Sequence, residues 1–197
     1  MPYTQTAFSK AIFEMFENLD SWLTHKYSEL PERAVAVYLF GGCAMHLHTQ
    51  ARTSNDVDAE LLSIPQLQLS TLKQAIQSVD FDDENGFPRS LDWDGGFDLS
   101  FAPVDPAYDE RATLIHITKS RLIFIYLVSA VDLAVSKLGR FESVDRQDIQ
   151  RLYQQGLFDE QDFLDIASEA KKYYCVAIDK LQFNIDLTVE FLRESAQ

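Results

Sequence analysis

The sequence predicts a mixed α/β core followed by an all-helical region, on three observations. Strand-like runs at 35–40, 56–62 and 122–128 are separated by segments of helical spacing. Glycine turns punctuate the first half of the chain, at Gly41-Gly42 and Asp94-Gly95-Gly96. Beyond Ser129, apolar residues recur at steps of three and four to about Glu194. The α/β part is therefore expected over 1–128 and a C-terminal helical region over 129–197.

Each element has its own warrant. Phe8, Ile12, Phe16, Leu19, Leu23, Tyr27 and Leu30 fit an amphipathic helix that begins near Ala7 and that Pro31 ends. Val35 to Phe40 has little polar relief and reads as a buried strand. Gly41-Gly42 turns the chain, and Cys43 to Gln50 suits a short helix. Asp56 to Leu62 reads as a second strand beside the first. After Ile64-Pro65, a helix is expected over Gln66 to Val79, with Leu69, Leu72 and Ile76 on one side. Asp80 to Arg89 is acidic, contains Gly86 and Pro88, and reads as a loop. The Asp94-Gly95-Gly96 turn is expected to have a strand on each side, the later one holding Phe97-Asp98-Leu99. Leu114–Ile117 and Leu122–Val128 read as a hairpin. Ser129 can cap a helix at Val131–Leu138, Val144–Tyr153 forms the next, and Gly156 stops it. Asp159 then caps a long final segment.

Composition bounds the function. A chain of 197 residues can hide roughly 70% of its unfolded surface and so build a real core. The longest apolar run, Leu122 to Val131, falls short of the roughly 18 residues of a membrane span. Met1 to Thr6 has neither a basic nor an apolar stretch, so no secretory signal is expected. Cys43 and Cys175 form neither a disulfide framework nor a zinc pattern, which suits a cytoplasmic protein. A net charge of −14 disfavours broad nonspecific binding to nucleic acid.

One constellation points to chemistry. Asp56 and Asp58 are two apart, and in a strand such residues share a face. Asp98, within an apolar segment, can bring a third carboxylate from a neighbouring strand; Asp92 and Asp94 are the alternatives. Converging carboxylates repel unless a cation sits among them. Mg²⁺ suits the position, since it takes hard oxygen ligands from one or two carboxylates plus substrate phosphates. Gly41-Gly42 lets backbone approach a phosphate where the following helix offers N–H donors. Arg52 and Lys137 are candidates to neutralise phosphate charge, and Thr53 and Ser54 to donate hydroxyl hydrogen bonds. Together these parts describe nucleotidyl or phosphoryl transfer. His46 and His48, two apart on a helix, make a poor metal pair and read as packing residues, as does His116. Cys43 reads as a small buried residue.

Gly-Gly, then Arg-Thr-x-x-Asp-x-Asp, then an apolar-Asp-apolar segment resembles the DNA polymerase β-type nucleotidyltransferase superfamily. Ser129 to Arg140, with Asp132-Leu133 and Lys137-Leu138, and Asp145-Arg146-Gln147-Asp148-Ile149 resemble helices of its toxin and abortive-infection (AbiEii-like) branch. The resemblance covers about Val35 to Leu152, with Gly-Gly standing where Gly-Ser is more usual. It implies a nucleotidyltransferase-like α+β fold, a mixed sheet with flanking helices. It implies that Asp56, Asp58 and Asp98 hold Mg²⁺, that Gly41 and Gly42 cradle the nucleotide and that Lys137 meets the triphosphate. Asp145 and Asp148 match the acidic helix of that branch. The expected activity moves a nucleotide from an NTP to a protein side chain, a tRNA end or a small molecule. The alternative is a catalytically silent member that binds a nucleotide or a cognate protein, such as half of a toxin–antitoxin pair.

Overall fold

The computed structural model describes residues 1–195. Two compact units form: Met1–Phe97 with Thr113–Leu127, and Asp98–Ala112 with the segment from Val128 onward.

In the first unit, α1 (Ala7–Lys26) opens at Thr6, whose hydroxyl accepts the Ser9 N–H. That satisfies one of the donors every helix start leaves unpaired. Phe8, Ile12, Phe16, Leu19 and Leu23 are all buried, as their spacing predicts. The helix stops short of Pro31, with Tyr27 already extended.

β1 (Val35–Leu39) lies inside a four-stranded sheet of order β3 (Ala59–Ser63), β1, β7 (Ile123–Leu127), β6 (Thr113–Ile117). β3 runs antiparallel to β1 with Ala59 opposite Leu39, and β7 runs parallel to β1 with Leu127 opposite Leu39. β6 completes the expected hairpin with β7, interrupted by an irregularity between Leu114 and His116. All five β1 residues are buried, which accounts for their continuous apolar run. A second, three-stranded sheet has the order β2 (Asp56–Val57), β5 (Pro88–Trp93), β4 (Val79–Asp82). β2 pairs parallel with β5, and β4 pairs antiparallel with it. α2 (Gly41–Thr49) packs against β2, and α1 against β4, α2 and α3 (Leu69–Ala75). The mixed α+β class expected from the sequence is the one observed.

The helix expected over 66–79 is confined to Leu69–Ala75, and three further local expectations are corrected here. The strand expected over 56–62 breaks at Asp58 into two pieces belonging to different sheets. The acidic stretch after Val79 is a strand rather than a loop. Val79-Asp80-Phe81-Asp82 alternates apolar and acidic residues, and Val79 is buried while Asp80 and Asp82 face solvent. The strand expected at Phe97-Asp98-Leu99 does not form. Asp98 caps a 3-10 turn, Leu99–Phe101, its carboxylate accepting the Ser100 N–H at 2.8 Å and the Ser100 hydroxyl. That local bonding gives the backbone an alternative to a ladder.

The second unit is helical: α4 (Tyr108–Arg111), α5 (Ala130–Ser136), α6 (Ser143–Gln154), α7 (Glu160–Tyr173) and α8 (Ile178–Ser195). α5 packs on α6 and α7, and α8 packs on the same two. Leu133, Leu138, Ile149, Leu152, Phe163, Leu181 and Leu192 form its core. Ser129 caps α5 and Asp159 caps α7, as their positions predict. The long final segment is two helices, because Tyr174 turns extended and buries its side chain. Among the described residues, no helix is long and apolar enough to cross a membrane.

Candidate active site

The site is assembled by β1, α2 and the strand break at Asp58. Phe40 ends β1 and is the N-cap residue of α2, with no side-chain capping bond. Its N–H donates to the Asp58 carbonyl at 2.8 Å, which draws the break in the chain up to the helix start. Gly41 has a φ of +54°, and a β-carbon built on it would stand 1.7 Å from Asp58 Oδ2. Glycine is therefore required on two grounds, backbone conformation and the carboxylate pressed against its α-carbon. Gly42 is confined by space alone. A β-carbon there would lie 2.7 Å from both Cβ and Oγ of Ser54 and 3.0 Å from Arg52 Nη1. The glycine pair thus lets Asp58, Ser54 and Arg52 gather at the first turn of α2.

Parallel pairing of β2 with β5 brings in the third carboxylate. Asp92 N–H donates to the Asn55 carbonyl at 2.8 Å and Asp94 N–H to the Val57 carbonyl at 3.2 Å. Carboxylate oxygens of Asp56, Asp58 and Asp94 consequently lie within 4.8 Å of one another. The Asp94-Gly95-Gly96 turn holds its shape through the Gly96 N–H on Asp94 Oδ1 (2.8 Å) and the Phe97 N–H on the Asp94 carbonyl (3.2 Å). Phe97 then packs against Phe40, ring centroids 5.7 Å apart, tying this turn back to the start of α2. Three clustered carboxylates raise the local negative potential, and hard oxygen donors in this number suit Mg²⁺.

Supporting residues fix the loop between α2 and β2. Ser54 Oγ donates to Asp56 Oδ1 at 2.5 Å. His46 Nδ1–H donates to the Arg52 carbonyl at 3.1 Å, and its Nε2 meets the Thr6 hydroxyl at 2.9 Å. Burial lowers the His46 pKa below that of a free imidazole, outweighing the Arg52 carbonyl, which raises it. His46 is thus a packing and loop-anchoring residue. Cys43 Sγ–H donates to the Asp56 carbonyl at 3.2 Å. Burial, then the charges of Asp58 and Asp56, push the thiol well above its usual range, which disfavours the thiolate that a nucleophile needs.

The structure thus brings together Gly41, Gly42, Arg52, Ser54, Asp56 and Asp58 from the sequence-derived set, with Thr53 exposed between Arg52 and Ser54. It adds Asp94, one of the alternatives considered for the third carboxylate. Asp98 and Lys137 belong to the second unit. There Lys137 is buried, its ammonium 2.8 Å from Asp148 and 3.7 Å from Asp145. Asp145 is also held by the Arg140 guanidinium through two 2.8 Å bonds and by the Glu142 N–H. Burial alone raises the Asp145 pKa; these partners outweigh it and hold the carboxyl below its usual value.

A mixed sheet that sets three carboxylates beside a glycine-started helix is consistent with a nucleotidyltransferase-type fold. The family model described as "Nucleotidyltransferase of unknown function (DUF6036)" matches residues 10–191, and the chain belongs to that family. A comparison with curated proteins found no match.

Proposed function

We propose that this chain transfers a nucleotide from an Mg²⁺-bound NTP to an acceptor. The observation that carries the reading is the triad Asp56, Asp58 and Asp94 beside Gly41-Gly42, in a chain of a nucleotidyltransferase family. The three carboxylates are the ligands for Mg²⁺, which when bound stabilises the attacking and leaving oxygens of an in-line displacement. The acceptor oxygen or nitrogen attacks the α-phosphorus, its proton passes to a carboxylate of the triad, and pyrophosphate leaves. The first turn of α2 with Gly42, the Arg52 guanidinium and the loop hydroxyl at Thr53 receives the phosphates, while the Ser54 hydroxyl is committed to Asp56. Asp94 is preferred over Asp98 as the third ligand, because Asp98 is engaged in capping its own turn. Lys137 is assigned to the ion cluster with Asp145 and Asp148 rather than to the triphosphate.

The decisive experiment is calorimetry of the four Mg²⁺–NTPs against the wild type and Asp56→Ala/Asp58→Ala. Binding by the wild type that the double variant loses supports the reading and opens an acceptor screen among proteins, tRNA and small molecules. A wild type that binds no NTP rejects it in favour of a silent member acting on a cognate protein. That outcome would also turn attention to the toxin–antitoxin or phage-defence setting suggested by the AbiEii-like resemblance.

A further inference from the structure

Ser54 occupies the space a side chain on residue 42 would fill, its Oγ and Cβ both 2.7 Å from the position of a β-carbon there. The same hydroxyl donates to Asp56 Oδ1 at 2.5 Å. Asp56 is the most exposed member of the carboxylate triad and sits on a strand of two residues, so little packing restrains its rotamer. We propose that Ser54 is the positioning residue for Asp56, and that Gly42 lacks a side chain in order to admit it. The hydroxyl over the first turn of α2 is delivered by the loop instead of by the helix.

The argument is steric and electrostatic. An exposed carboxylate that must meet a cation loses rotamer freedom when it does so, and a bond that fixes it beforehand removes that cost. Partners that orient a metal ligand in this way are typically worth about 10–100-fold in metal affinity. Ser54 can reach Asp56 from its present position only while residue 42 is glycine. A side chain there would displace the Ser54 β-carbon, which is fixed to the backbone and stands 2.7 Å from the position of the added β-carbon. The pair is therefore exchangeable: a serine at 42 with a glycine at 54 restores a hydroxyl to the same volume.

This inference rests on the metal-site reading above, and Mn²⁺ alone is the probe that separates the two. Mn²⁺ affinity is measured by electron paramagnetic resonance on the wild type, Ser54→Ala, Ser54→Gly, Gly42→Ser and Gly42→Ser/Ser54→Gly, with thermal melts confirming that each is folded. Each single variant is expected to bind Mn²⁺ about tenfold more weakly, or worse. The double exchange is expected to regain most of that loss. Ser54→Ala binding like the wild type overturns the positioning role, and a double variant no better than Ser54→Gly overturns the exchange. A wild type that binds no Mn²⁺ overturns the inference together with the metal site. Mn²⁺ binding without NTP binding rejects the proposed function and leaves the Ser54 assignment to be decided by the variants.

Discussion

Removing the Asp148 carboxylate should cost the second unit much of its stability, because it strands a buried cation. The Lys137 side chain is 6% exposed, and its ammonium lies 2.8 Å from Asp148, itself 6% exposed. At an effective dielectric near 20, two unit charges at that separation attract by about 6 kcal/mol, against several kcal/mol of desolvation for each ion. In Asp148→Ala the ammonium would keep, of its two carboxylate partners described above, only the more distant Asp145, 3.7 Å away and already forked onto Arg140. Breaking a buried pair from one side typically costs about 3–5 kcal/mol, which for a chain of this size lowers Tm by roughly 10 °C. Removing both charges with shape-filling apolar groups, Lys137→Met/Asp148→Leu, should cost far less, since the desolvation penalty disappears with the attraction. Urea titration followed by far-UV circular dichroism measures all three proteins. A loss below about 1 kcal/mol in Asp148→Ala, or a double variant as unstable as the single one, would refute the argument.

Because the folded His46 pKa lies below that of the unfolded chain, the unfolded state takes up the proton first as pH falls below about 6.5. Stability should therefore decline below that pH, and His46→Gln should flatten the decline; a variant curve parallel to the wild type would contradict it. Gly41→Ala should abolish Mn²⁺ binding, since the new methyl falls 1.7 Å from Asp58 Oδ2 at a positive φ; retained affinity would show that the carboxylate is free to move. Asp94→Ala should remove Mn²⁺ binding, whereas Asp98→Ala should principally cost a turn cap, about 1 kcal/mol by melting. The reverse ranking would return the third ligand to Asp98.

α1, α5, α6 and the β1–Gly41-Gly42–α2 unit were legible because local signals agree there. A run of buried apolar residues, a glycine pair and a short helix all sit next to each other in sequence. Asp56 and Asp58 were legible as a pair, but not the break at Asp58, since sheet membership depends on partners at 92–93 that no local pattern announces. The same non-local pairing left Asp94 an alternative rather than the first choice for the third carboxylate. Asp94-Gly95-Gly96 reads as a turn and is one, but parallel pairing of β2 with β5 makes the turn residue a neighbour of Asp58. Asp98 attracted attention through its apolar neighbours Phe97 and Leu99, while the feature that mattered was Ser100, two residues on, which captures its carboxylate. The alternation in Val79-Asp80-Phe81-Asp82 was present in the sequence but was outweighed by the glycine and proline that follow.

Asp58 works as a hinge pin between two ladders. Val57 is registered to Trp93 in one sheet and Ala59 to Leu39 in the other, with a single residue between them. Lengthening or shortening the chain at this point would force one ladder to slip, and a slip of one residue reverses which face every side chain of that strand presents. Loop-length variation is therefore closed at the very position proposed to hold the metal. It is open at the Asn85-Gly86 tip of the β4–β5 hairpin, where Gly86 has free space around it. A fluorophore or affinity handle inserted at that tip would report on β5, and through it on Asp94, while leaving the pin in place.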